Sequence, residues 1–230
     1  MKKQFAKLAL TATLGLAITL TFNACEEKEA NTFTDPRDKK TYKTVKIGEQ
    51  VWMAENLNYA AEGSKCGGTE LQEFEEGDGV FKYYTLEDKN TVNCDKYGRL
   101  YEWKIAKTAC PSGWHLPTNE EWAVLMVAVG GEKTAGKYLK ANSGWNDYEG
   151  KSGNGEDKFG FSALSGGGGD AGDRFDANGV GNDGHWWTAS EKDSSVYGTA
   201  YGIIMRNEIE NVISSSYLKS YAWSIRCIKD

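Results

Sequence analysis

Two histidines, His115 and His185, five cysteines, a string of carboxylates between 170 and 183 and an adjacent Trp186-Trp187 pair are the side chains of this 230-residue chain with chemistry to offer. General acid/base or nucleophilic catalysis needs a base within reach of a nucleophile and a third group that orients it, and two histidines leave little room for such a constellation. His115 stands between Trp114 and Leu116 and reads as a packed residue rather than a catalyst. No glycine-rich loop follows a strand and opens a helix, so nucleotide chemistry has no support.

Cys66, Cys94, Cys110 and Cys227 are an even set, and in an oxidising compartment two disulfides are expected of them. Three connectivities exist. Cys66 with Cys94 would close a Gly- and Glu-rich excursion, and Cys110 with Cys227 would tie a proline-bearing loop to the last strand. Zinc is the rival reading, weakened because no Cys-x-x-Cys pair is present and both histidines lie elsewhere.

Asp170, Asp173, Asp176, Asn178, Asn182 and Asp183 could supply hard oxygen ligands to calcium, and Gly-rich turns would let such a loop wrap an ion. Arg174 occupies an acidic slot of the EF-hand pattern, so solvated turn chemistry competes with that reading. Neighbouring strand residues face opposite ways, so Trp186 or Trp187 is a candidate for an exposed indole that stacks on a sugar ring. His185, Trp186, Trp187, Asp173, Asp176 and Asn182 form the candidate ligand-binding set. The competing expectation puts one indole in the core and covers the other with the Gly-rich loop.

These groups need elements to hold them. Gly48-Glu49 joins 42–47 to 50–53 as a hairpin with Val45, Ile47, Val51 and Met53 inward. Residues 60–93 read as a long loop with one short strand at 81–85. The spacing of Leu100 with Trp103, and of Tyr101 with Ile105, predicts a helix over 97–107. Thr118 and Glu121 form a capping box before a Trp122, Leu125, Met126, Val129 stripe, ended by Gly130-Gly131. Val124 and Val127 lie off that stripe, which predicts a helix buried on most sides. A third helix is expected over 134–141. Strands follow at 185–190, 198–206, 209–214 and 221–228, the last with Tyr221, Trp223, Ile225 and Cys227 inward. The class is α+β.

With 27 Gly, 12 Tyr and 8 Trp against 3 Pro, the composition suits many turns closed over aromatic clusters. A net charge of −6 and no basic face exclude nucleic acid as a partner. Residues 1–24 read as an export signal: Lys2, Lys3 and Lys7 precede an apolar run over 8–22 that is short for a membrane span. Phe22-Asn23-Ala24-Cys25 resembles the lipobox of bacterial lipoproteins, which makes Cys25 the expected lipid anchor and the only link to a membrane. Residues 25–34 are then a flexible tether, and 35–230 one domain.

Residues 44–59, Tyr97-Gly98-Arg99-Leu100-Tyr101, 110–122, 160–164, Trp186-Trp187 and Ser224-Ile225-Arg226-Cys227 together resemble the Fibrobacter succinogenes major paralogous domain. The resemblance implies a secreted or surface lipoprotein, outer-membrane anchored and facing the cell surface or periplasm. It also implies a C-type lectin-like fold similar to the formylglycine-generating enzyme superfamily, with two or three helices, short antiparallel strands and long Gly-rich loops. Residues 115–122 resemble a block of the latter. The copper-holding cysteine pair of its oxidases is absent, since Cys227 stands alone. Trp145-Asn146-Asp147 matches one calcium-site segment of sugar-binding lectins, but the proline-bearing partner segment is missing, and the match is read as coincidence. The expected function is a non-catalytic binding module for an extracellular polysaccharide, plant cell wall or other, or for a surface protein. An enzyme on the same frame and a purely structural surface protein are the alternatives.

Overall fold

The computed structural model describes residues 31–76, 79–170, 174–175, 179–195 and 198–230. The expected export signal, and Cys25 with it, lie outside the described residues. The expected tether reaches into the fold: β1 (Thr32–Thr34) pairs antiparallel with β2 (Thr41–Ile47), which turns at Gly48 into β3 (Gln50–Met53). Gly48 has φ of 60°, a left-handed conformation that a tight hairpin demands and glycine adopts freely. Tyr42, Ile47, Trp52 and Met53 are buried, while Val45 and Val51 are only partly so.

The stretch expected to be a loop is instead a long hairpin, β4 (Cys66–Glu76) and β5 (Gly79–Glu87), paired antiparallel. Its sequence is acidic and lacks apolar alternation, so backbone pairing orders it without the pattern that reveals a half-buried strand. The expected helix over 97–107 forms only from residue 103, and a helix that was not expected precedes it. That helix, α1 (Val92–Tyr97), is capped by Thr91, whose side chain accepts from the Asn93 amide at 3.2 Å. Gly98 stops it at φ of 80°, where a Cβ would sit 2.8 Å from the Leu57 carbonyl. Leu100 then exchanges backbone hydrogen bonds with Lys65, β6 (Tyr101–Glu102) follows, and α2 (Trp103–Ala109) begins only there.

After β7 (Trp114–His115) comes α3 (Asn119–Ala128) with its capping box intact: Thr118 Oγ1 accepts from the Glu121 amide at 3.1 Å and Glu121 Oε2 from the Thr118 amide at 2.7 Å. Trp122, Leu125, Met126 and Val129 are buried as the stripe requires. Val124 and Val127 are 55% and 76% exposed, so the helix packs on one face only, against the expectation. With α4 (Glu132–Leu139) the described residues contain four helices, more than the sequence suggested.

β8 (Arg174–Phe175) joins β5, and β9 (Asp183–Glu191), β10 (Thr199–Arg206) and β11 (Ile213–Leu218) make a separate three-stranded sheet in the order 11-10-9. The last expected strand is cut into β12 (Ala222–Trp223), which pairs with β6, and β13 (Ile228–Lys229), which lies between β3 and β7 in the five-stranded sheet 1-2-3-13-7. Between them residues 224–227 form a pillar between the two main sheets: Met53 and Leu57 amides donate to the Cys227 and Ile225 carbonyls, and the Trp187 amide donates to the Ser224 carbonyl. The expected in-and-out alternation therefore fails, and Ser224 and Arg226 are as buried as Ile225 and Cys227. Both disulfides join the expected partners, Cys66 with Cys94 and Cys110 with Cys227, and leave none of these four thiols for zinc.

Candidate functional site

β9 separates two cores, and its adjacent tryptophans enter one each. Trp186 joins Trp52, Trp122 and Phe161, with ring centroids 4.9 to 6.4 Å apart. Trp187 stacks on Trp223 at 4.5 Å, and His185 stacks on the same indole at 4.8 Å. Both tryptophans have 0% exposure, so neither offers a face to a sugar ring. Opposite orientation was a sound expectation, but this strand is covered on both sides.

His185 is partly buried. Its Nδ1 is buried without a partner, and burial, reinforced by the Arg206 charge, pushes the imidazole down to about 4, so it is neutral near pH 7. Such a group packs; it does not exchange protons at working pH. His115 is not packed as the sequence suggested. Its side chain is 40% exposed, and its nitrogens are bound by two carboxylates, Nδ1 to Asp230 Oδ1 at 2.6 Å and Nε2 to Glu121 Oε1 at 2.9 Å. Burial opposes its charge, but the hydrogen bonds to Asp230 and Glu121 prevail and raise it above the ordinary histidine value. Both nitrogens are thus bonded to carboxylates, which favours the protonated ring.

Four of the sequence blocks meet in a buried polar hub. Arg226, with 0% exposure, donates to Asn56 Oδ1 and to the carbonyls of Phe161 and Ser162. Asn56 Oδ1 also accepts the Trp186 indole N–H at 2.8 Å. Arg99 is held similarly, by Ser64, Asp88 and Asn90. Asn56, Ser64, Arg99 and Arg226 are buried and tie loops to cores.

Of the acidic string, Asp173, Asp176 and Asn178 lie outside the described residues. Asp170 pairs with Arg174 at 2.7 Å, Asp183 lies 3.7 Å from Arg206, and Asn182 Oδ1 accepts from the amides of Asn146 and Asn207. Among the described residues no three His, Cys, Asp or Glu side chains converge as metal ligands. Trp145 is buried with its indole N–H on the Ala163 carbonyl.

An open surface does exist beside that amide cluster. A groove of about 350 Å³ runs between the end of α4, the 148–154 loop and the 207–210 turn. Lys140, Tyr148, Lys151, Asn154, Asn207 and Glu210 contribute to its walls. The loop approaches closely because Gly155 carries no side chain: a Cβ there would lie 2.2 Å from the Lys140 carbonyl. Tyr148 is 43% exposed, and it is the one large aromatic residue left so open among the described residues. Lys140, in contrast, is 3% exposed; its Nζ donates to the Arg206 carbonyl at 2.9 Å and the Ile209 carbonyl at 3.1 Å. Burial, only partly offset by Glu210, lowers it to about 8. Sequence reasoning passed over these residues because a lysine after a helix and a tyrosine in a polar loop carry no local sign of convergence.

Two further concave surfaces, about 700 and 530 Å³, flank β1. Both include Asn31, the first described residue, in their rims.

The family model described as the Fibrobacter succinogenes major domain matches residues 45–229. That span contains both disulfides, the Asn56–Arg226 hub and the groove. No curated protein and no solved structure matches the chain.

Proposed function

We propose, for a chain that belongs to the Fibrobacter succinogenes major domain family, a non-catalytic module that binds a hydroxyl-rich extracellular ligand, with polysaccharide ahead of a surface protein. The observation that carries this reading is the open Tyr148 ring in a groove walled by amides, lysines and carboxylates. A sugar presents an apolar C–H face and a rim of hydroxyls, which suits one aromatic platform ringed by donors and acceptors. The stacking role thus passes from Trp186 and Trp187 to Tyr148.

Anchorage through a lipid on Cys25, export by residues 1–24, and placement at the outer membrane facing the cell surface or periplasm complete the proposal. They rest on the sequence. Asn31 lies six positions after Cys25, so the tether would hold β1 within about 20 Å of the bilayer. The C-type lectin-like assignment is supported by antiparallel sheets, two disulfides and the Gly-rich 142–170 segment. An enzyme on the formylglycine-generating frame is disfavoured because Cys227 is held in a disulfide.

The test is retention of the purified protein on immobilised cell-wall polysaccharides, with and without calcium. Tyr148→Ala should weaken retention about tenfold, the equivalent of one lost stacking contact of about 1.4 kcal/mol. Equal retention of variant and parent, or no retention on any polysaccharide, would sink the reading.

A further inference from the structure

We propose that Lys140 is a reactive amine that condenses reversibly with a small aldehyde entering the groove, such as the open-chain form of a reducing sugar. The inference stands on the surroundings of Lys140 and does not depend on polysaccharide being the groove's ligand.

A protonated lysine has three N–H donors, whereas the neutral amine has two and a lone pair. Among the described residues the Lys140 Nζ meets two acceptors, the carbonyls of Arg206 and Ile209, and no carboxylate lies within 4 Å to hold the charge. The exposed Lys137 shows the contrast, with Glu156 at 3.5 Å and Glu210 at 3.9 Å. Two carbonyls satisfy both N–H groups of the neutral amine and leave the lone pair unshared. The Trp145 ring, 5.2 Å from Nζ, adds no acceptor for a third N–H beyond its π face. The charged groups around the groove are Lys137, Lys151, Glu149, Glu208 and Glu210. Glu210 alone opposes the lowering that burial imposes on this amine, to about 8. Buried lysines of this kind are the usual amines of Schiff-base chemistry.

The reaction is a condensation and needs no oxidant or reductant. The Nζ lone pair attacks the aldehyde carbon, the C=O π pair moves to oxygen, and a proton passes from nitrogen to that oxygen. The carbinolamine then expels its hydroxyl as water with a second proton, and the nitrogen pair forms C=N. Amine and aldehyde give imine and water. Lys140 lines a groove of about 350 Å³ and is 3% exposed, so a small aldehyde is the probe that suits it.

The experiment treats the folded full-length protein with dilute glycolaldehyde and cyanoborohydride, which traps the imine as a stable secondary amine, and maps adducts by mass spectrometry. At pH 7.5 Lys140 should be labelled on the order of tenfold faster than the exposed Lys133 and Lys151, because burial favours its neutral amine. Its rate should level off above pH about 8. Labelling of Lys133 and Lys151 with Lys140 untouched overturns the proposal, as does a Lys140 rate that still climbs at pH 10. Lys140→Met should remove the fast adduct; if that variant fails to fold, the pH profile of the parent protein decides alone.

Discussion

Asn56 Oδ1 accepts hydrogen bonds from both Arg226 Nη2 at 2.9 Å and the Trp186 indole at 2.8 Å, so one amide oxygen joins residues 170 positions apart. Among the described residues no carboxylate pairs with Arg226, and burial pulls its guanidinium down to about 9. Its charge is dispersed over one amide oxygen and the Phe161 and Ser162 carbonyls. Asn56→Ala leaves an indole and a guanidinium facing an apolar gap, and should cost about 3 to 5 kcal/mol in urea unfolding. Asn56→Asp would add a full countercharge and should cost less than Asn56→Ala; an equal or larger loss would show that hub geometry, not charge, dominates.

Trp186→Ala and Trp187→Ala should each lower stability by about 3 to 5 kcal/mol, since each empties a different packed cluster. Their folded fractions should keep the parent's retention on polysaccharide. A variant of normal stability with lost retention would return the binding role to these indoles.

The two histidines should give opposite pH dependences. His185 is depressed to about 4 when folded, so unfolding takes up a proton between there and 6.5. Its contribution is complete above 6.5 and is lost as pH falls towards 4, by up to about 3 kcal/mol. His115 is raised when folded, so its contribution is complete below 6.5 and fades as pH rises through its higher folded value. Half exposed, it should count for under about 1 kcal/mol. Urea midpoints from pH 4 to 9 for His185→Phe and His115→Gln check both signs. His185→Phe keeps the stack on Trp223, removes an orphan nitrogen, and should flatten the acid limb.

The two disulfides should differ in worth. Cys110–Cys227 spans 117 positions and Cys66–Cys94 spans 28, so loop-closure entropy gives about 5 and about 3.5 kcal/mol respectively. Paired Cys→Ser variants compared by thermal melting test the order, and a smaller loss from the longer bridge would contradict it.

How much was legible follows from which signals are local. The Gly48-Glu49 turn, the Thr118–Glu121 capping box and the cysteine pairing were readable because each rests on a few neighbouring residues or on parity. The β4–β5 hairpin was not, since strand pairing without an apolar face leaves no periodicity, and the 97–107 helix failed because Gly98 is diverted by contact with Leu57, a residue distant in sequence.

For the site the division is sharper. Local stereochemistry sends Trp186 and Trp187 to opposite faces of one strand, and the sequence alone determined that. Whether either face meets solvent depends on what other strands and loops lay against it, and the tertiary structure covered both. The same holds for Lys140: its residue type names an amine, but only the fold places two carbonyls on it and, among the described residues, no carboxylate within 4 Å. Burial and the choice of partners are properties of chain segments brought together from far apart, and these decide which side chains remain free for chemistry.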